Sequence, residues 1–392
     1  VRKPDNMDLS ARQILDRLVS FPTVSSESNL ALVDFVEDYL LSHGVAPVRV
    51  SSPCGTKASI FAHIGPQVEG GGVLSGHTDV VPVKGQDWTS DPFTVTERDG
   101  KLFGRGTCDM KGFVALALAA VPLAQKSTLK RPIQIALSYD EEVGMTGAPP
   151  MIERMLNCGL PKADAVIVGE PSMMQVVSGH KGGFGYIVDV RGHEVHSSLM
   201  HEGVSAVMMA AELVAWANRI NAENAARTPG RLDADFVPPY TTVHVGTIKG
   251  GTAHNITARD CRFEIDFRVV PGEDQAQWEA RFEAKVARLD TEMKAVHPCA
   301  GVTLFQDFNA PGLAPEPAGA AEALARRLTG DNSPRVVSYA TEGGLFQRRG
   351  YSTVICGPGD IAQAHQPDEY LSVAQFEAGG RVLEGLILDC CV

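Results

Sequence analysis

Twice along this chain the spacing of apolar residues changes period, and the two changes divide it into three parts. Up to about residue 180, short unbroken apolar runs at 72–75, 133–138 and 165–168 alternate with stretches of helical spacing at 8–21, 29–43 and 112–123. In the second of these, Leu32, Phe35, Val36, Tyr39 and Leu40 recur at helical intervals. Runs so short, bounded by polar or turn residues, are buried strands, and their alternation with helices predicts an α/β layer. From residue 181 the texture differs. Phe184, Tyr186, Val188 and Val190 alternate with Gly185, Ile187 and Asp189, Ile187 being the exception. A helix follows at 203–221, then strands at 242–248 and 261–270, a helix at 273–291 and a strand near 302–305. That order, β-α-β-β-α-β, is the split βαβ plan with one solvated sheet face. After Pro311 the first texture returns, with helices at 319–328 and 372–388 and strands at 336–339 and 353–356. The fold class expected is α/β: a mixed-sheet domain (1–180 and 312–392) interrupted by a smaller α+β, ferredoxin-like domain (181–311).

A length of 392 residues agrees with two domains. The net charge of −12 argues against nucleic acid and against a polybasic membrane contact. The richest apolar run, 113–121, is too short to span a bilayer. Eight cysteines fall at no C-x-x-C spacing, and the first residues carry no signal-peptide pattern, so a reduced, cytoplasmic protein is expected.

Five segments carry side chains able to ligate a metal. They are Ser75-Gly-His77-Thr-Asp79, Thr107-Cys-Asp109-Met-Lys111-Gly, Asp140-Glu141-Glu142-Val-Gly, Gly169-Glu170-Pro and Ala364-His365-Gln-Pro. Four of them lie at or shortly after the end of an apolar strand, where sites form in α/β sheets. Each alone has a plainer explanation: a buried histidine with a bonded Asp79, an N-cap at Asp109, a solvated acidic turn at Glu141–Glu142. In extended backbone adjacent side chains diverge, so Glu141 and Glu142 need not compete for one role: one could ligate an ion while the other works as general base. Asp140 reads as a strand-end or loop residue. His193-Glu-Val-His196 falls one residue short of H-E-x-x-H and is not on a helix, so it is no zincin motif. Neither a phosphate loop nor a G-x-S-x-G elbow is present.

Taken together, these segments resemble the M20 metallopeptidase/deacylase family over essentially the whole chain. The resemblance implies two divalent ions, Zn²⁺ first with Co²⁺ and Mn²⁺ as alternatives. His77, Asp109 and Glu170 would hold one, and Asp109, Glu142 and His365 the other. It further implies Glu141 as general base, Asp79 as the residue that orients His77, and a cis peptide after Asp109. In the inserted domain it implies a dimerisation lid, with His196 stabilising the oxyanion of a partner subunit's site and Asn255 and Arg268 binding the substrate carboxylate. The segments Gly106-Thr-Cys-Asp-Met-Lys-Gly-Phe113, Tyr339-Ala-Thr-Glu-Gly343 and Gln363-Ala-His-Gln-Pro-Asp-Glu-Tyr370 are most similar to members that deacetylate N2-acetyl-ornithine. Thr341, in the second of them, is the remaining substrate-binding candidate.

The function expected is therefore hydrolysis of a small N-acyl amino acid by a homodimer. Two alternatives are a desuccinylase or dipeptidase of the same family and a non-catalytic metal or amino-acid binding protein. Cys108 puts a thiol beside Asp109, where oxidation would be felt by the site.

Overall fold

A computed structural model describes residues 7–392. Residues 1–6, part of the stretch without a signal-peptide pattern, lie outside the described residues. The chain divides into two compact units. The larger runs up to Gly179 and resumes at Pro315–Val336 and Thr341–Val392; the smaller holds His180–Ala314 and Val337–Ala340. That second short excursion, Val337–Ala340, is absent from the domain boundaries expected above.

In chain order the larger unit begins with helices α1 (Ala11–Val19) and α2 (Leu30–Ser42) and strands β1 (Pro47–Ser51), β2 (Ala58–Ile64) and β3 (Gly72–His77). Short strands β4 (Thr96–Arg98) and β5 (Lys101–Phe103) precede α3 (Lys111–Lys126), β6 (Ile133–Ser138), α4 (Ala148–Asn157) and β7 (Ala165–Pro171), and β8 (Gly179–His180) falls at the boundary where the smaller unit begins. The smaller unit contributes β9 (Gly182–Arg191), α5 (Ala206–Ala225), β10 (Thr242–Gly250), β11 (Asp260–Val269), α6 (Gln275–Val296) and β12 (Gly301–Ala310). The chain closes with α7 (Ala320–Thr329), β13 (Val336–Val337), α8 (Gly343–Arg348), β14 (Ser352–Gly357), β15 (Tyr370–Ser372) and α9 (Val373–Asp389).

The main sheet has the order β1-β2-β6-β3-β7-β14. Strands β6, β3, β7 and β14 are parallel neighbours, and β2 and β1 run antiparallel at one edge. Leu74, Ile133, Ile135, Leu137 and Ile167 share a core with Phe113 and Leu116 of α3 and Leu383 of α9. The alternate positions Val73, Ala136 and Val166 are buried as well. Both faces are covered, which is why these strands read as unbroken apolar runs. Contact between α3 and β7 depends on one glycine: a Cβ on Gly169 would stand 2.0 Å from the Phe113 ring.

The smaller unit is an antiparallel sheet of order β10-β11-β9-β12, with α5 and α6 packed on it in the β-α-β-β-α-β sequence. Its core is aromatic. Phe184 stacks on Phe267 at 4.3 Å, and Trp216 and Phe282 close around Phe267. Burial alternates strictly at the start of β11, where Cys261, Phe263 and Ile265 are inside and Arg262 and Glu264 outside.

Candidate metal centre

Because β6, β3, β7 and β14 are parallel, their carboxyl ends lie along one edge of the sheet. His77 is the last residue of β3, Glu170 lies near the end of β7, Glu141 and Glu142 follow β6, and His365 follows β14. Asp109 joins them from the loop between β5 and α3. All belong to the larger unit.

The His77 Nδ1–H donates to the main-chain carbonyl of Asp79 at 2.9 Å. This leaves Nε2 facing Asp109 Oδ1, 3.1 Å away, with Glu170 Oε1 at 3.7 Å. The Asp79 side chain lies beside Nδ1 as well. Its carboxylate is 3.6 Å from Nδ1 and also accepts from Ser25 Oγ at 2.6 Å and from the N–H groups of Glu141 and Glu142 at 3.1 and 3.4 Å.

Asp109 is no N-cap. Met110 takes the position before α3, without a side-chain cap bond, and the Asp109–Met110 peptide is cis. Both Asp109 oxygens are free for the site. Oδ1 faces His77 Nε2, and Oδ2 lies 3.4 Å from His365 Nε2. His365 Nε2 is also 3.0 Å from Glu142 Oε2.

Glu141 and Glu142 diverge, but not through extended backbone. Asp140 adopts a left-handed conformation (φ 59°), tolerable for an aspartate, and Glu141–Val143 then forms a single 3₁₀ turn. Asp140 is anchored by an ion pair with Lys57 and accepts from Thr146 Oγ1 at 3.0 Å. It is a turn-former outside the cluster.

Ligand atoms of His77, Glu141 and Glu170 lie within 4.8 Å of one another, as do those of His77, Asp109 and Glu142. Proximity alone does not separate Glu141 from the other acids, whereas the contact of Glu142 with His365 does. The electrostatics are those of crowded acids. Loss of water, then repulsion by Glu170, Glu142 and Glu342, pushes Glu141 well above the ordinary glutamate range, against the pull of His77. Burial and repulsion by Asp109 and other acids do the same to Glu170 and raise Glu142. Asp109 is the exception: burial opposes it, but His365 and His77 hold its carboxyl well below the usual range. The His365 imidazolium is pushed up to about 10 by Asp109 and Glu142. Four carboxylates around two imidazoles carry a charge that two divalent cations would balance, and the donor set suits ions taking nitrogen and oxygen ligands.

The other candidates lie apart from this cluster in the sequence. His196, in the smaller unit, precedes a short turn at Ser197–Glu202; its exposed ring accepts the Ser198 N–H at Nδ1 (3.2 Å), which leaves the proton of the neutral ring on Nε2. Asn255 is exposed, and its carbonyl accepts from Ser197 N at 2.9 Å. Arg268, on β11, pairs with Asp266 at 3.0 Å and lies over the Phe308 ring. Thr341 is buried and its Oγ1 accepts the Gly343 N–H at 3.0 Å. Cys108 is 1% exposed, and burial, Glu369 and Asp109 push its thiol far above the usual range, away from the reactive thiolate.

Sequence reasoning missed two acids. Glu342 is buried behind the sheet end, accepts from Ser138 and from Ser75 (3.3 Å), and is pushed by burial up to about 7. Glu369 accepts the N–H groups of Gly106, Cys108 and Asp109. Both belong to the segments around Thr341 and His365, but their partners lie more than 200 residues away in the chain, so no local spacing signals them.

The model of peptidase family M20/M25/M40 matches residues 73–389. The chain belongs to this family. As an M20 protein it is a metal-dependent amide hydrolase. It is 34% identical over 394 residues to acetylornithine deacetylase of Myxococcus xanthus, covering 97% of each chain. Two solved M20 structures share its fold. A metallo-carboxypeptidase from Sulfolobus solfataricus matches with a TM-score of 0.74 at 18% identity, over 97% of this chain and 99% of that one. A dinuclear metal-binding peptidase from Bacillus subtilis matches with a TM-score of 0.63 at 14% identity, over 97% of each.

Proposed function

We propose that this chain is a di-metal deacetylase that hydrolyses N2-acetyl-ornithine to ornithine and acetate, a step of arginine biosynthesis. The observation that carries the two-ion reading is Asp109, whose two oxygens face two different histidines. His77, Asp109 and Glu170 would hold one ion and Asp109, Glu142 and His365 the other, with Zn²⁺ favoured and Co²⁺ or Mn²⁺ able to share such ligands. Paired divalent ions bound there would acidify a water and polarise the acyl carbonyl.

The protein's own groups do the rest. Glu141, its proton affinity raised by its neighbours, takes the proton of the attacking water and delivers it to the amine as the C–N bond breaks. Asp79 holds the turn that presents Glu141. His196, with its proton on Nε2, is the donor for the oxyanion, supplied by the second subunit of a homodimer formed through the smaller, lid-like unit. Asn255, Arg268 and Thr341 are the substrate-binding candidates, the first two for the substrate carboxylate. A cytoplasmic setting rests on the cysteine spacing.

The choice of substrate is supported by the segments around Asp109, Thr341 and His365 and by the Myxococcus xanthus relative. Steady-state assays with N2-acetyl-ornithine, N-succinyl-diaminopimelate, N-acetyl-methionine and a dipeptide test it. The expected result is the highest kcat/KM on N2-acetyl-ornithine. A higher value on another compound reassigns the substrate, and no turnover on any of them leaves a binding protein.

A further inference from the structure

The loop that carries Asp109 and the loop that carries His365 are joined through one buried guanidinium. Arg105 is 1% exposed and pairs with Glu369, also 1% exposed, Nη1 donating to Oε2 at 2.7 Å. Glu369 in turn accepts the Gly106 N–H at Oε2 (3.1 Å) and those of Cys108 and Asp109 at Oε1 (2.9 and 3.0 Å). The second arm of Arg105, Nη2, donates to Gln86 Oε1 at 2.5 Å. Gln86 Nε2 then donates to the main-chain carbonyl of His365 at 2.8 Å. The Trp88 ring lies 5.1 Å from the guanidinium, and its Nε1 donates to the same Gln86 oxygen at 3.2 Å. Between His365 and Glu369, Asp368 accepts the Thr89 N–H at 2.9 Å.

We infer that Arg105 is a positioning residue, setting the separation of Asp109 from His365 and with it the affinity of the ion they share with Glu142. The inference rests on the reading of Asp109 and His365 as ligands. Its physical basis is that the guanidinium is a rigid planar fork, which holds two partners at one spacing; an ammonium is a point charge that does not. His365 needs such help. It is half-exposed and sits at a left-handed φ of 63° in a loop, so its own backbone does little to fix it. His77, by contrast, is the end of a central strand and is 1% exposed. Outer hydrogen-bond partners of ligands are worth about 10–100-fold in metal affinity.

Calorimetric titration of the metal-free chain with Zn²⁺, together with elemental analysis of the loaded protein, tests this without reference to activity. Two ions are expected in the unaltered chain. Gln86→Leu cuts only the arm to His365 and leaves the Arg105–Glu369 pair in place; it should weaken one ion about tenfold. Arg105→Lys touches both arms and should weaken the same ion about 10–100-fold, with a smaller effect on the other because Asp109 serves both. Circular dichroism checks that the variants are folded, and if Arg105→Lys is not, Gln86→Leu decides alone. Wild-type affinities for both ions in a folded variant overturn the proposal. So does equal weakening of both ions by Gln86→Leu, which marks a merely structural role. If the unaltered chain binds fewer than two ions, or His365→Ala weakens neither, the reading of the centre itself fails, and the positioning role falls with it.

Discussion

The carboxylate of Asp79 accepts the backbone N–H of Glu141 at 3.1 Å. A residue two positions beyond His77 therefore holds the turn that presents the proposed base, and its main-chain carbonyl accepts from His77 at 2.9 Å with the carboxylate 3.6 Å from the same nitrogen. Asp79→Ala removes the first contact and keeps the second. It is expected to lower kcat by about 10–100-fold while both ions stay bound. Loss of the His77 ion in that variant, read by elemental analysis, would show that the orientation of the histidine depends on the side chain and not on the main-chain carbonyl.

Glu141 reaches the cluster without a contact to His365, unlike Glu142. As general base it should be dispensable for metal binding. We expect Glu141→Gln to retain two ions and to lose about 10²–10⁴ in kcat. Near-normal turnover would reassign the base.

His365 meets Asp109 and Glu142 but not Glu170, so its removal is an asymmetric insult. The prediction for His365→Ala is a chain that keeps one ion at close to its original affinity and loses most of the other's. Zn²⁺ titrations that retain two equal steps would sink its role as a ligand.

His180 gives a pH prediction away from the cluster. Burial holds its imidazolium at about 4, against an ordinary 6.5, its Nδ1 donates to the Lys181 carbonyl and its Nε2 has no hydrogen-bond partner. Between pH 6.5 and 4 the unfolded chain binds a proton that the folded chain refuses. Stability from this residue is thus complete above 6.5 and falls as the pH drops to 4, by about 3 kcal/mol. Urea unfolding of the metal-free chain at about pH 7 and about pH 4.5, with His180→Gln for comparison, reads this out. The variant should show the smaller acid loss, and an identical loss in both would remove His180 as the cause.

The parts of the site that are legible in the sequence are those tied to parallel strands. His77, Glu170 and the pair Glu141–Glu142 can be placed because strands buried on both faces are unbroken apolar runs, and polar residues at the ends of such runs stand out. The extended backbone expected at Glu141 is wrong, since the left-handed Asp140 that starts its 3₁₀ turn leaves no local pattern. The environment of Cys108 is hidden for a related reason: its thiol is raised by burial and by Glu369, which is remote in the chain.

The sequence by itself determined the alternation of two textures, the inserted β-α-β-β-α-β unit and the identity of the ligand candidates, because periodicity and strand ends are local properties. Tertiary structure alone decided that Asp109 faces two histidines, that Asp79 serves Glu141, and that Arg105 spans the loops of Asp109 and His365. Those relations depend on parallel strands stacking their ends side by side and on hydrogen bonds between residues as far as 279 positions apart, separations that no local pattern records.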